Sequence, residues 1–443
     1  MGEMAQARPR AFIVGFRDLQ TWSVAAQFAV NWNWPDEVIK PLDSILSRRN
    51  ETALETLTPE SIVTLLTIRF DGSIEPREPV RIEDIKGRLF RVYPGDVVFS
   101  KIDVRNGAIG LAPDDIDCMC VTSEFPVYSV DFKKTDSGYV KLLFRTVAFK
   151  KLLNSMISGA SGRKRIQPTQ LEGVKVPIPP LPIQQKIVAH WEAAQLERAA
   201  ADTALSALVL ELHSWLVKQT KGFGQVTCSK VFLANYENTQ QWDVKAGRAA
   251  AFITANPDFI RLGDYTEECT ETVRPWDDPE KKWPIYGVNN KEGVFLSSMQ
   301  AGKEFNAPYK KIEKDWFFHN PTRANVGSLG IVLEVPTDAI TSPEYQVWRL
   351  KGDFLPDFIA LMLRTDYFLA LVAFNRVGGV KQRMYYANLA EIRLPEIPTE
   401  VQKNFADRRQ EILANISAAN EKLAQRKIEI EKMILGIRPV EVH

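Results

Sequence analysis

The strongest constraint on the fold is an internal repeat, in which much of the second half of the chain matches the first half after a shift of about 218 residues. The segment LLFRTVAF (142–149) matches LMLRTDYF (361–368), and PIPPLPIQQKIVAHW (177–191) matches the more divergent EIRLPEIPTEVQKNF (391–405). Further pairs occur in the same order: TWSV around Trp22 with QWDV around Trp242, GDVVFSKIDVRNGAIG (95–110) with KDWFFHNPTRANVGSLG (314–330), and VTSEFPVY (121–128) with ITSPEYQVW (340–348). Collinear matches at one period indicate a duplicated structural unit. The sequence therefore predicts two copies, roughly residues 22–222 and 242–436.

Each copy combines a domain of strands, turns and short helices with a long helix. Runs such as FRVYPGDVVFS and DWFFHN, bounded by Gly, Pro, Asp and Asn, are typical of short strands. Four prolines at 177–182 exclude a helix there, because proline removes a backbone donor and restricts the preceding residue. From Ile183 to Lys218 there is no proline or glycine. A proline-stiffened strand is therefore predicted to lead directly into a long helix. The glutamines of this segment and Lys186 are expected to mark the start of that helix and a neighbouring surface that a partner contacts.

Both predicted helices carry a heptad repeat of apolar residues. This seam consists of Ile187, Trp191, Ala194, Leu205, Leu208, Leu212 and Trp215 in the first helix, and of Phe405, Ile412, Ile416, Leu423, Ile430 and Met433 in the second. A heptad of this length exposes apolar side chains unless a partner helix covers it, so we expect the two helices to pair. Arginines at three further seam positions, Arg198, Arg409 and Arg426, are expected to set the register or to lie at its flanks. The alternative is that each helix only caps its own domain.

The predicted fold class is α+β: two similar globular domains joined by two long helices that form an antiparallel coiled coil, with a pseudo-two-fold internal repeat. The antiparallel orientation follows from the two-fold, which places the domains at opposite ends of the helix pair. The predicted boundaries are an N-terminal extension (1–21), a first globular domain (22–180), a first helix (181–221), a linker (222–241), a second globular domain (242–396), a second helix (397–436) and a C-terminal tail (437–443).

Composition restricts the compartment and the kind of ligand. No apolar run reaches the roughly 18 residues of a membrane span, and the N-terminus lacks the pattern of a signal peptide. The four cysteines form no disulfide-framework pattern and the four histidines show no metal-binding spacing. We therefore expect a cytoplasmic protein with no metal site. The net charge of +1 argues against a uniformly basic nucleic-acid binder, but it leaves room for local basic clusters.

The tandem domains, the paired helices and the segment VPIPPLPIQQKI (176–187) together resemble the specificity subunit of type I restriction–modification systems. The resemblance extends from Trp22 to Gly436, although the second copy of the motif lacks the double proline and inserts two residues before its glutamine. It implies that each domain reads one half of a bipartite, asymmetric DNA site. The helices then set the spacing and dock two methyltransferase subunits, with restriction subunits joining the complex. The resemblance also implies that S-adenosylmethionine, ATP and Mg²⁺ are bound by partner subunits and not by this chain.

Two loops in each domain are the candidate DNA contacts. The strand-end loop comprises Ser100, Lys101, Arg105 and Asn106 in the first copy and His319, Asn320, Arg323 and Asn325 in the second; the basic loop comprises Arg163, Lys164, Arg165 and Gln167, and then Lys381, Gln382 and Arg383. Arg, Lys and Asn can make the paired hydrogen bonds that distinguish guanine and adenine, and neighbouring glycines let the backbone approach. A basic loop retained in both copies favours DNA contact over a merely solvated loop. Arg145 and Arg364 are instead expected to tie a helix to its own domain.

Catalysis is the alternative function. An adenine methyltransferase would carry an N/D-P-P-Y/F tetrapeptide, whereas the nearest segment, FHNPTR, has threonine at the second proline position. A magnesium nuclease needs carboxylates held on strands. Asp258 with Glu280 and Lys282 has a plausible spacing, but Glu280 lies in PWDDPEKKWP (275–284), which is a proline-flanked charged turn and not an apolar strand. The sequence therefore predicts a non-catalytic DNA-recognition subunit. A reader subunit of another DNA modification or defence system, or a nuclease or methyltransferase in its own right, are the remaining alternatives.

Overall fold

The computed structural model describes residues 30–155, 165–228, 231, 233–235, 237, 244–378 and 381–440. The chain divides into two compact units, the first formed by Met1–Glu197 and Asn420–His443 and the second by Arg198–Ala419. The division falls within both long helices, so each unit contains one globular domain and part of each helix. The predicted N-terminal extension, the repeat match around Trp22 and Trp242, and the loop residues Arg163 and Lys164 lie outside the described residues.

The first unit is built from short strands and short helices that precede one long helix. Its elements are β1 (Ile39–Pro41), β2 (Leu46–Arg49), α1 (Ala53–Thr56), β3 (Ile62–Ile68), β4 (Ile74–Pro76), β5 (Val80–Arg81), β6 (Leu89–Arg91), β7 (Val97–Phe99), β8 (Ile109–Leu111), β9 (Met119–Thr122), β10 (Val127–Val130), α2 (Ser137–Arg145), α3 (Val147–Ser155), α4 (Pro168–Glu172), β11 (Lys175–Pro177) and the beginning of α5 (Leu181–Lys218).

The second unit repeats this order. Its elements are the rest of α5, then α6 (Phe223–Cys228), α7 (Val244–Ala255), β12 (Ile260–Arg261), β13 (Thr266–Glu268), β14 (Thr272–Val273), β15 (Lys282–Asn289), β16 (Gly293–Ala301), β17 (Tyr309–Lys311), β18 (Phe317–His319), β19 (Leu329–Ile331), β20 (Ile340–Thr341), β21 (Gln346–Leu350), α8 (Pro356–Met362), α9 (Asp366–Asn375), α10 (Tyr386–Ala390), β22 (Arg393–Leu394) and the beginning of α11 (Thr399–Ile434). No described helix has both the length and the apolar character of a membrane span.

The sheets of the two units have the same topology. The order β2-β10-β7-β8 in the first unit corresponds to β13-β21-β18-β19 in the second, and the pair β1-β11 corresponds to β12-β22. A third sheet in each unit contains one parallel pair, β3 with β9 and β15 with β20. Its outer hairpin differs most, because β16 has nine residues where β4 has three. The predicted α+β class and internal repeat are confirmed.

The long helices contribute to the hydrophobic core of each unit. In the first unit Ile187 and Ile430 are buried together with β7, β8 and α2, and in the second Leu212 and Phe405 are buried together with β18, α8 and α9. Every predicted seam residue is buried or half-buried. Burial of apolar area at about 25 cal/mol per Å² is the main favourable contribution of such contacts. The helices are therefore part of the domain cores and not only a connection between domains.

The two helices run antiparallel within each unit. In the first unit the Nε2 atom of His190 lies 2.8 Å from Glu429 Oε2, and Glu197 Oε2 lies 2.7 Å from Lys422 Nζ, so residue numbers rise along α5 as they fall along α11. In the second unit Arg408 Nη2 lies 2.6 Å from Glu211 Oε2. Arg408 is the repeat equivalent of His190, and Glu211 is the repeat equivalent of Glu429, each at a shift of 218 residues. The equivalent contact between the two helices is therefore made in both copies.

A buried glutamine fixes the start of each long helix to its domain. The Gln184 side chain accepts a hydrogen bond from the Asp136 backbone N–H at 2.8 Å and donates one to the Pro179 carbonyl at 2.6 Å. Gln402 accepts one from the Leu355 N–H at 3.2 Å at the equivalent position in the second unit. Gln184 has no exposed surface, so the expectation that it marks a partner surface was wrong; its amide is used entirely inside the unit.

Candidate nucleic-acid interface

The strand-end loop has the same backbone shape in both units. After β7 the chain forms a 3-10 turn, Val104–Asn106, that ends at Gly107 with φ of 108°; after β18 it forms the turn Ala324–Val326, which ends at Gly327 with φ of 89°. A Cβ atom on Gly107 would lie 2.1 Å from the Phe70 carbonyl oxygen. Positive φ and this close approach both require glycine, so the loop shape is specified by sequence.

The strand-end loop and the basic loop contact each other in both units. In the first unit the Ile166 backbone N–H donates to the Lys101 carbonyl at 2.9 Å, and in the second the Met384 N–H donates to the Pro321 carbonyl at 2.8 Å. These hydrogen bonds join loops that are 65 and 63 residues apart in sequence. The two loops of each unit therefore form one continuous surface, which we call the loop surface.

In the first unit the loop surface presents Asn106, Arg165 and Gln167 to solvent. Arg165 is ion-paired with Glu124 at 3.4 Å, and half-buried Lys101 donates from Nζ to the Ser123 carbonyl at 2.6 Å. Arg105 is half-buried, and its Nε has no hydrogen-bond partner among the described residues. Two cations of this loop surface, Arg165 and Lys101, thus make contacts with other protein groups.

Ser100 is buried and does not belong to the solvent-facing part of this surface. Its side chain is only 7% exposed, and its Oγ accepts a hydrogen bond from the Asp103 N–H at 3.1 Å. The prediction that Ser100 contacts DNA was therefore wrong, because the hydroxyl stabilises the turn from inside.

In the second unit Arg323, Lys381 and Arg383 are exposed. Arg383 donates from Nη1 to the Tyr385 hydroxyl at 3.3 Å, and Gln382 accepts a hydrogen bond from Lys245. Asn320 and Asn325 are half-buried; Asn320 Oδ1 accepts from the Thr322 N–H at 3.0 Å, which is a turn-forming contact. Three cations therefore remain on the solvent side of this loop surface.

His319 lies inside the second unit. It is fully buried, its Nε2 lies 2.9 Å from the Met384 carbonyl oxygen, and burial lowers its pKa to about 4. In the sheet register His319 faces Leu329 as Phe99 faces Ile109, so it is the last residue of a strand and not the first of a loop. The prediction that His319 contacts DNA was wrong because the second copy is offset by one residue at this point.

Two arginines stabilise the loops by donating hydrogen bonds to their backbone carbonyl groups. Arg145 donates from Nη1 to the Gly107 carbonyl at 2.8 Å and also to the Ile109 carbonyl, which agrees with the structural role expected for it. Arg376 donates from Nη2 to the Gln382 carbonyl at 2.8 Å and to the Thr322 carbonyl at 3.3 Å, so it bridges both loops of the second unit. Sequence reasoning missed Arg376, whose only signal is its position between α9 and the basic loop.

Within the described part of the chain, no potential metal centre accompanies these surfaces. Within the described ranges, no group of three or more His, Cys, Asp or Glu side chains could hold a metal ion. Cys118, Cys120 and Cys269 are free thiols, and burial raises the pKa of Cys269 to about 11. The exposed polar and cationic side chains of the loop surfaces offer hydrogen bonding and positive charge, which suit phosphate and base-edge contacts.

Comparison with known proteins gives one family match. Residues 92–193 match the family model of the type I restriction modification DNA specificity domain. The matched segment contains the strand-end loop and the basic loop of the first unit as well as Gln184 and the first turns of α5. The resemblance predicted from sequence is confirmed for these residues. No curated protein matches the chain significantly.

Several solved structures are similar over most of the chain. One comes from a study of complex assembly and conformational transition of the type I R-M system, with 15% identity, 91% of this chain and 96% of that chain covered, and a TM-score of 0.43. The HsdS subunit from Thermoanaerobacter tengcongensis matches with 15% identity, coverages of 90% and 94%, and a TM-score of 0.32. The type I S subunit from M. genitalium matches with 12% identity, coverages of 93% and 98%, and a TM-score of 0.40.

Proposed function

We propose that this chain, which carries a type I restriction modification DNA specificity domain at residues 92–193, is the DNA-recognition subunit of a type I restriction–modification complex. The observation that carries the proposal is the match itself, because the matched residues include both loops of the first loop surface. Each unit reads one half of a bipartite, asymmetric DNA site.

The internal repeat supports a second reader in the second unit. The same interloop hydrogen bond and the same glycine-capped turn recur there, although no family match covers those residues. Among the described loop residues the exposed side chains differ: Asn106, Arg165 and Gln167 in one unit, and Arg323, Lys381 and Arg383 in the other. Because base identity is read through the donor and acceptor pattern of such side chains, the two half-sites are different sequences.

Partner subunits are needed for tight binding. The described part of each loop surface presents few exposed cations, and DNA affinity rises steeply with the number of phosphates that a protein neutralises. We therefore propose that two methyltransferase subunits dock on the helices and complete the DNA clamp, that the helices set the half-site spacing, and that restriction subunits join through this complex. Two half-sites on the same face of DNA are separated by one helical turn, about 34–36 Å, or by a multiple of that distance.

The chain itself is proposed to be non-catalytic and to bind no cofactor. S-adenosylmethionine, ATP and Mg²⁺ belong on the partner subunits, and the complex works in the cytoplasm. The absence of an N/D-P-P-Y/F tetrapeptide from the sequence supports the non-catalytic role. Purified chain incubated with S-adenosylmethionine and DNA is expected to transfer no methyl group, and methyl transfer by the chain alone would contradict this part of the proposal.

Genome-wide mapping of methylated bases tests the function. In cells that contain the gene, we expect methylation at a set of bipartite sites that is lost when the gene is deleted and restored by a plasmid copy. Deletion of the methyltransferase gene is the matched control and should remove the same sites. An unchanged methylation map after deletion of this gene would exclude the type I role and favour a reader in another DNA-modification or defence system.

A further inference from the structure

A cavity of about 350 Å³ lies in the first unit beside the helices α2 and α3. Its walls come from these two helices, from the turn between β3 and β4, and from α5 and α11, with the Trp191 ring among the lining residues. Four of the lining side chains are cationic: Lys141, Arg145, Lys150 and Lys427. We call this site the basic cavity.

The positive charge of the basic cavity is only partly offset inside the unit. Two carboxylates, Asp71 and Glu431, also line it and Asp71 interacts electrostatically with Arg145, so four cations stand against two anions. Among the described residues, no ion pair or hydrogen bond engages the ammonium groups of the three lysines. Burial, followed by the charges of Arg145 and Lys427, lowers the pKa of Lys150. Lys150 is half-buried, whereas Lys141 and Lys427 are exposed to solvent. Like charges held close together in this way attract an anion.

The equivalent cavity of the second unit lacks this charge. It has a volume of about 300 Å³ and is lined by Arg364, which corresponds to Arg145. The positions of Lys141, Lys150 and Trp191 are occupied by Ala360, Leu369 and Arg409. Arg409 is ion-paired with Asp357. Each unit thus has its own cavity at this position, and only the cavity of the first unit is lined by unpaired lysines.

We propose that the basic cavity binds a phosphate group. Its volume lies in the range of about 300–1,000 Å³ that is usual for small-ligand sites, and the Trp191 ring supplies an apolar wall beside the cations. Arg145 connects the cavity to the strand-end loop through its hydrogen bond to the Gly107 carbonyl. The phosphate comes either from the DNA backbone beside that loop or from a free nucleotide or polyphosphate; the DNA source rests on the proposed function.

Two lysines can be removed without touching the loop surface. The test variant is Lys150→Gln combined with Lys427→Gln, which retains Arg145 and both carboxylates. The matched control is Lys151→Gln combined with Lys432→Gln, because these lysines are exposed on the same helices and do not line the cavity. Calorimetric titration of the full-length chain with inorganic pyrophosphate forms the first arm. Titration of the chain, copurified with its methyltransferase subunits, against its DNA site at several salt concentrations forms the second.

The test variant is expected to lose about tenfold or more in pyrophosphate affinity, or to reduce the salt dependence of DNA binding by about one phosphate contact, relative to the control. Loss in the pyrophosphate arm alone assigns the cavity to a free phosphate compound, and loss in the DNA arm assigns it to the DNA backbone. No difference between test and control in either arm overturns the proposal. If the wild-type complex binds no DNA, the proposed function fails, while the pyrophosphate arm still decides whether the cavity binds phosphate.

Discussion

The backbone N–H of Ile166 donates a hydrogen bond to the carbonyl oxygen of Lys101 at a distance of 2.9 Å. This contact joins the basic loop to the strand-end loop in the first unit, and Met384 and Pro321 make the equivalent contact in the second. Each unit therefore presents its candidate contacts on one surface. A change in either loop is expected to affect the half-site read by its own unit and not the other.

Gly107 is expected to be required for the shape of the first loop surface. Gly107→Ala places a Cβ 2.1 Å from the Phe70 carbonyl at a positive φ, so we expect a loss of about 1–3 kcal/mol in the free energy of unfolding and weaker DNA binding by the complex. Gly87→Ala is the matched control, because Gly87 has a similar φ of +107° with nothing within 4 Å of its Cβ. Chemical denaturation compares the two. Equal losses would show that backbone strain alone, and not the clash, matters.

Gln184 is expected to be a major stabilising residue of the first unit. Gln184→Ala leaves the Asp136 N–H and the Pro179 carbonyl without their partners, at a cost of about 2–3 kcal/mol in the free energy of unfolding. The exposed neighbour Gln185 provides the control variant Gln185→Ala, for which we expect little change. Similar denaturation midpoints for the two variants would contradict the role of Gln184.

Arg383 is expected to contact DNA phosphate or a base from the second unit. Arg383→Gln in the complex should weaken binding and, for a phosphate contact, reduce the slope of log affinity against log salt by about 1. The control is Lys303→Gln, since Lys303 is an exposed cation of the same unit that is ion-paired with Glu280 and lies outside both loops. Fluorescence anisotropy at several salt concentrations measures both. An unchanged slope and affinity for Arg383→Gln would remove this residue from the interface.

His319 is expected to make the second unit acid-sensitive. Its pKa in the folded state is about 4, below the ordinary value of 6.5, so the unfolded chain binds more protons between these values and stability falls as pH decreases. The loss between pH 7 and pH 5 is about 2 kcal/mol. His319→Phe, which places the residue found at the equivalent Phe99, should reduce this loss while sequence recognition is retained. Unchanged pH dependence of unfolding, or altered DNA specificity, would contradict the burial of His319.

The sequence predicted the features that arise from local chemistry and duplication. Proline spacing excluded a helix up to Pro182, whereas α5 begins at Leu181, because proline is tolerated in the first turn of a helix. The repeat predicted two similar α+β domains, which the structure contains. The direction of side chains at the ends of short strands could not be predicted from the sequence. FFHN contains no signal that separates the last strand residue, His319, from the first loop residue, so the buried imidazole was mistaken for a contact.

Contacts between distant backbone groups could not be predicted. The hydrogen bond from Ile166 to Lys101 uses only main-chain atoms, so it does not depend on the identity of either residue and cannot be recognised in the sequence. Arg376 bridges two loops through carbonyl oxygens for the same reason. Such contacts depend on the tertiary fold that brings segments more than 50 residues apart together, and they determine which predicted residues share a surface.

Exchange of one reader tests the central claim most directly. Residues 242–396 are replaced by the corresponding domain of another chain with the same specificity domain, both long helices are retained, and methylated sites are mapped genome-wide. We predict that one half of the recognised site changes while the other half and the spacing stay the same. Loss or alteration of both halves, or an unchanged site, would contradict an account in which each unit reads its own half of the DNA sequence.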